Sequence, residues 1–100
     1  MKNIISNINK AFDHRIRLGI MSVLMVNEWE DFTTLKELLG ATDGNIASHL
    51  KALEKDDYIK VEKSFIDRKP NTKYSATKKG NFDFKKHIEA IEELLNNRKK

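Results

Sequence analysis

The sequence contains no cysteine, a single proline and only four glycines among its 100 residues. Without cysteine there can be no disulfide and no thiolate metal centre, and thiol usage carries no information about redox compartment. There is no Gly-rich phosphate loop, no nucleophile motif, no internal repeat and no linker. No apolar run approaches the ~20 residues of a membrane span. The start, Met1-Lys2-Asn3-Ile4-Ile5, passes directly into polar residues and lacks the apolar stretch of a signal peptide, so a soluble cytoplasmic protein without a membrane role is expected. Three histidines, His14, His49 and His87, lie far apart. Asp83 and His87 stand at i, i+4, but Ala90 occupies the next turn, where a further carboxylate would be needed. No catalytic residue, metal site or cofactor is therefore assigned.

The chain does hold enough apolar residues, 39%, for one small core. A domain this short often buries more surface by pairing with a second subunit. The formal net charge is +4, and its distribution is more telling than its sum. Residues 1–57 carry seven Lys or Arg against nine Asp or Glu, whereas residues 58–100 carry twelve against six. Within the latter, residues 60–79 hold seven against two, a local +5 that suits a polyanion and is also compatible with a solvated face.

Apolar spacing divides the chain into elements. Ile4, Ile5, Ile8 and Phe12 predict a short amphipathic helix over Asn3–Phe12. Asp13 is placed to cap a second helix, whose two stripes (Ile16, Ile20, Val23, Leu24 and Leu18, Met21, Met25) predict burial on more than one side. Asn27 to Asp31 reads as a loop, with Trp29 covering the core, or less readily stacking on a ligand. Phe32-Thr33 is expected to be a very short strand. Thr34 then caps Leu35–Leu39, with Glu37 completing a capping box and Gly40 stopping the helix.

Thr42 opens the following helix, Asp43 to about Asp56. Ile46, Leu50 and Leu53 give it an apolar face. Gly44, Ser48, Lys51 and Lys55, flanked by Asn45 and Ala52, give it a small, polar, cationic one. Two short helices joined this way form a helix-turn-helix. From Tyr58 the period changes to two, predicting a strand to Ile66, a turn over Asp67–Thr72 shaped by Pro70, and a return strand Lys73–Thr77. Thr77 is positioned to cap a last helix, along which Phe84, Ile88, Ile91 and Leu95 make a heptad-like seam.

In this order the segments resemble the small winged-helix transcriptional regulators related to the MarR and ArsR groups. The resemblance runs over about residues 13–95. It rests on Asp13-His14-Arg15-Ile16-Arg17 with Ile20-Met21, on Phe32 to Gly40, on Thr42 to Glu54 with Tyr58-Ile59, and on Lys63-Ser64-Phe65. Arg68 to Thr72, Tyr74 and Thr77-Lys78-Lys79-Gly80 complete it. Asp56-Asp57 departs from the pattern, which often has Ala-Gly there.

The resemblance implies a mainly α fold with a small β-hairpin (α+β), a single winged helix-turn-helix domain over 1–100. Residues 1–27 and 78–100 would double as dimerisation helices. It implies a non-enzymatic homodimer on a pseudo-palindromic duplex DNA operator, acting as a repressor. Expected DNA-contacting residues are Thr42, Asp43, Gly44, Asn45, Ser48, His49, Lys51 and Lys55, with Lys63, Arg68, Lys69, Asn71, Thr72 and Lys73 of the wing. Expected dimer contacts are Ile4, Ile5, Ile8, Phe12, Phe84, Ile88, Ile91 and Leu95. His49 is equally suited to a phosphate contact and to a hydrogen bond within the domain. Two alternatives stay open: a winged helix that docks a protein partner, and a regulator switched by a small effector at the dimer interface.

Overall fold

The computed structural model describes residues 8–96. A single 3₁₀ turn, Lys10–Phe12, precedes α1 (Arg15–Val26), β1 (Glu30–Asp31), α2 (Phe32–Leu39), α3 (Asp43–Lys55), β2 (Ile59–Ile66), β3 (Lys69–Ala76) and α4 (Lys78–Asn96). This is the expected α+β winged helix-turn-helix, with a three-stranded antiparallel sheet in the order β1-β3-β2. The core lies between α1, α2 and α3 and the base of the sheet. Ile20, Met21, Leu35, Ile46 and Leu53 are fully buried there. They are the residues whose spacing marks the inward helix faces.

Several boundaries differ from those expected. Of the helix predicted over Asn3–Phe12, the described part holds the 3₁₀ turn Lys10–Phe12; residues 3–7, with Ile4 and Ile5, lie outside the described residues. The cap of α1 is His14 rather than Asp13, since the Ile16 amide donates to its Nδ1 at 3.1 Å. The short strand is Glu30–Asp31 rather than Phe32-Thr33, pairing Glu30 with Tyr74 and Asp31 with Lys73. Asp31 then caps α2, accepting from the Thr34 amide at 2.8 Å. A carboxylate at the helix start also favours the macrodipole, so α2 begins before Thr34 and the Thr34–Glu37 capping box does not form.

The wing turn is shorter than Asp67–Thr72. Ile66 pairs with Lys69, leaving Asp67 and Arg68 as a two-residue turn with φ of 53° and 67°. Positive φ at both positions gives the hairpin the twist its strands require. Pro70 sits in β3 opposite Phe65. In this register that pair falls on the non-hydrogen-bonded alternate, so a residue without an N–H costs the ladder nothing.

The helix-turn-helix is closed by local hydrogen bonds. Gly40 is left-handed at φ 59°, and the amides of Gly40 and Ala41 donate back to Glu37 and Lys36. The end of α3 repeats this arrangement: Tyr58 N–H donates to Leu53 at 2.9 Å and Asp57 N–H to Glu54 at 2.9 Å. The left-handed residue there is Asp57, at φ 65°.

α4 is anchored directly against this turn. Thr77 N–H donates to the Tyr58 carbonyl at 3.0 Å, and its hydroxyl donates to Asp57 O at 2.7 Å. The same hydroxyl oxygen accepts from Gly80 N–H at 2.9 Å, capping the helix. A Cβ on Gly80 would fall on the Tyr58 carbonyl oxygen. The Tyr58 ring packs on Phe12 at 4.6 Å between centroids. Phe12 meets Phe84 edge-on at 5.2 Å.

Two substitutions test this junction by thermal melting. Gly80→Ala should cost about 2–3 kcal/mol, because backbone must move to admit the methyl group. Asp57→Gly should gain about 0.5–1 kcal/mol, since relief of the left-handed strain exceeds the added entropy of the unfolded chain.

Candidate nucleic-acid interface

α3 is seated by Ile46, Leu50 and Leu53, all buried. Thr42 caps it, its hydroxyl oxygen accepting from the Asn45 amide at 3.2 Å. The opposite face is free: Gly44, Asn45, Ser48, Lys51 and Lys55 are all exposed. Small residues at 44 and 48 let a phosphodiester backbone approach, while Asn45 and Ser48 carry the donors and acceptors that can meet base edges.

Two of the expected contacts are engaged within the domain. Asp43 pairs with Lys36 at 2.7 Å, tying α2 to the first turn of α3. The hydrogen bond to that carboxylate, and then its charge, raise the Lys36 pKa. The pair is solvent-exposed, so its worth to stability is small. Its effect on the site is to neutralise a carboxylate that would otherwise repel a polyanion.

His49 is turned toward α1, where its Nδ1 accepts from Arg17 Nε at 2.9 Å. Its ring stacks on His14 at 4.1 Å between centroids. Because Nδ1 of each ring accepts a hydrogen bond, both neutral rings carry their proton on Nε2. Desolvation, then the neighbouring His14 and Arg17, lower the His49 pKa. The domain-internal alternative for His49 is thus the one realised. His14 and Arg17 were absent from the sequence-derived site; they lie more than thirty positions from His49, and only the crossing of α1 over α3 joins them.

On the wing, Lys63, Arg68 and Lys69 are exposed, whereas Asn71, Thr72 and Lys73 are half-buried. Alternation places Lys63 on the face that continues from Ile59 and Val61, and Lys69, Asn71 and Lys73 on the other. Arg68 stands at the tip. Lys73 lies at the base, its Nζ 4.1 Å from the Trp29 ring centroid, a cation–π contact. Trp29 is exposed and packs on this outer face of the sheet, rather than covering the core as expected.

The expected dimer residues divide. Phe12 and Phe84 are 1% and 3% exposed. Both are consumed by the aromatic cluster around Tyr58, which corrects their placement at a subunit interface. Ile8, Ile88 and Ile91 are half-buried, and Leu95 is exposed. Ser22, Met25, Phe84, Lys85, Ile88 and Glu89 line a shallow groove between α1 and α4 of about 390 Å³. His87, considered above beside Asp83, is buried, and its Nδ1 accepts from the Asn9 amide at 3.0 Å. Burial lowers its pKa, against an opposing pull from Asp13.

The fold and the exposed third helix define a class. The winged helix DNA-binding domain family matches residues 16–95, and the chain belongs to it. Its relatives include the protein MJ0432 of Methanocaldococcus jannaschii, 38% identical over 88 residues, which span 88% of this chain and 96% of that one. Among solved structures it is similar to the transcriptional regulator homologue protein from Pyrococcus horikoshii OT3. The TM-score is 0.83 at 27% identity, covering 93% of this chain and 90% of that one. The fold is shared as well with the transcriptional regulator Tm0710 from Thermotoga maritima, at TM-score 0.65 and 24% identity. That match covers 89% of this chain and 58% of the other. No helix among the described residues is long and apolar enough to cross a membrane.

Lowered folded-state pKa values at His49 and His87 set a direction for the pH dependence of stability. Both rings contribute fully above the ordinary imidazole value of about 6.5. Their contribution is lost as pH falls through the lower folded values, because the unfolded chain takes up protons first. The melting temperature should therefore drop between pH 7.5 and 5, and His87→Gln should flatten that dependence. An unchanged slope in the variant would contradict a role for this ring.

Proposed function

We propose that the chain is a homodimeric, sequence-specific DNA-binding transcriptional regulator that represses by occupying a pseudo-palindromic operator. α3 enters the major groove, and the β2–β3 wing lies on flanking DNA. The observation that carries this reading is the free polar and cationic face of α3, set beside a wing whose tip cations are also free. Asn45 and Ser48 read base edges. Lys51, Lys55, Lys63, Arg68 and Lys69 meet phosphates, with Thr42 and Gly44 at the close approach of the helix start. Asn71 and Thr72 support the wing contact. Lys73 acts from the base of the hairpin.

Pairing of two copies is assigned to the outer part of α4, through Ile88, Ile91 and Leu95, with Ile8 beside them. Symmetry then sets two copies of α3 about one helical turn of DNA apart. A winged helix that docks a protein partner would be expected to present a neutral or apolar third helix and wing. This one presents Lys51, Lys55 and the basic stretch of residues 60–79 instead. The α1–α4 groove borders the proposed seam, which suits an effector that alters the spacing of the two α3 helices.

Selection of duplexes from a random pool, followed by gel shifts, tests the reading. Binding should weaken steeply with salt. Asn45→Ala should relax discrimination at one operator position by about 1–3 kcal/mol. Lys69→Ala should weaken all sequences alike. Full operator preference in the Asn45→Ala protein would remove Asn45 from the base-reading role.

A further inference from the structure

The wing tip carries two large apolar side chains that nothing among the described residues covers. Phe65 is 75% exposed and Ile66 is 51% exposed. Phe65 continues the face that begins with Ile59 and Val61, but the hairpin has left the core behind by this point. Its cross-strand neighbour is Pro70, whose rigid ring gives the Phe65 side a firm floor. Exposed Lys63 shares this face, and exposed Arg68 and Lys69 follow around the turn.

We propose that Phe65 is a minor-groove wedge, an apolar side chain that the wing presses against the sugar edges and a base step of duplex DNA. This rests on the wing's placement on flanking DNA. The occupant follows from the surroundings: a lone aromatic ring among Lys63, Arg68 and Lys69, with Asp67 the one carboxylate at the turn, matches the apolar sugar walls of a groove rimmed by phosphates. The turn is only two residues long, so the side chains at the tip, rather than the whole ribbon, meet a groove ~6 Å wide. Removing an aromatic ring from water is favourable enough to offset partial unstacking of one base step. Flexible pyrimidine–purine steps deform most easily. Phe65 therefore selects for deformable flanking sequence at positions where the chain makes no base hydrogen bond.

The test uses the full chain and a 30-bp duplex that the wild-type protein selects from a random pool. Phe65→Ala should melt at the wild-type temperature, since the ring packs on no core. It should bind about tenfold more weakly with the salt slope unchanged, because an apolar contact releases no counterions. Lys69→Ala should instead lower that slope by about 0.9. Circularly permuted fragments should show a bend with wild type that Phe65→Ala loses. Undiminished affinity and bending in Phe65→Ala, while Lys69→Ala weakens binding, would overturn the wedge alone. Failure of the wild type to select any duplex would overturn the DNA reading and the wedge with it. Dissociation of wild-type dimers by Phe65→Ala in sedimentation would make the tip a contact between copies, and would also overturn it.

Discussion

The carbonyl oxygen of Tyr58 accepts the Thr77 amide at 3.0 Å, and Gly80 lies against it with no room for a Cβ. Four parts of the chain meet at this residue: α3, α4, β2 and the 3₁₀ turn with its cap Asn9. Its amide closes the end of α3, its carbonyl holds the start of α4, and β2 begins immediately after it. Its ring packs on Phe12, and its hydroxyl receives a hydrogen bond from Asn9 Nδ2 at 3.3 Å. Lys79 adds a cap from above, donating to Asp56 O at 2.9 Å with its ammonium 4.8 Å from the Tyr58 ring centroid. The end of α3, the start of β2 and the start of α4 are therefore joined by backbone hydrogen bonds, reinforced by the Thr77 hydroxyl and the Tyr58 ring. For the proposed function, the two surfaces assigned to one duplex are held in fixed relation, which would lower the ordering cost of binding.

The other side of α3 is braced by less rigid means. Behind it, Ile46, Leu50 and Leu53 interlock with α1 and α2. At its flank, His49, His14 and Arg17 form a cluster in which each imidazole accepts a hydrogen bond at Nδ1, from Arg17 Nε to His49 and from the Ile16 amide to His14. His49 thereby holds the Arg17 guanidinium beside α3. The Lys36–Asp43 pair acts at the opposite end of the same helix. One side of α3 is thus tuned by acid–base groups and the other by geometry alone.

What could be read from sequence followed the range of the interactions involved. The caps at Thr42 and Thr77 and the stop at Gly40 depend on neighbours within a turn, and each stands where local spacing puts it. The inward faces of α1 and α3 were equally plain from period alone. Where two cap residues competed, as Asp31 with Thr34 and Asp13 with His14, composition could not decide. The outcome depended on where the preceding strand or turn released the chain. The wing turn read long because Pro70 and Asn71 are turn formers by habit, whereas here the strand register claims them. Phe12 and Phe84 had the right spacing for an exposed seam. Only the position of Tyr58 shows that they are core. The His49 cluster and the Lys73–Trp29 contact join distant segments and left no local trace.

Pro70 has one more effect. β1 covers β3 only at Lys73 and Tyr74, so the outer half of β3 is an open sheet edge. In the observed register the backbone of Pro70 faces that edge, and proline has no N–H to offer there. An open, partly apolar ribbon is the kind of edge along which chains zip together into aggregates. Removing one donor from the row interrupts a ladder that a second chain could build along β3. The wing can thus expose Phe65 and Ile66 to solvent while its β3 edge resists strand addition.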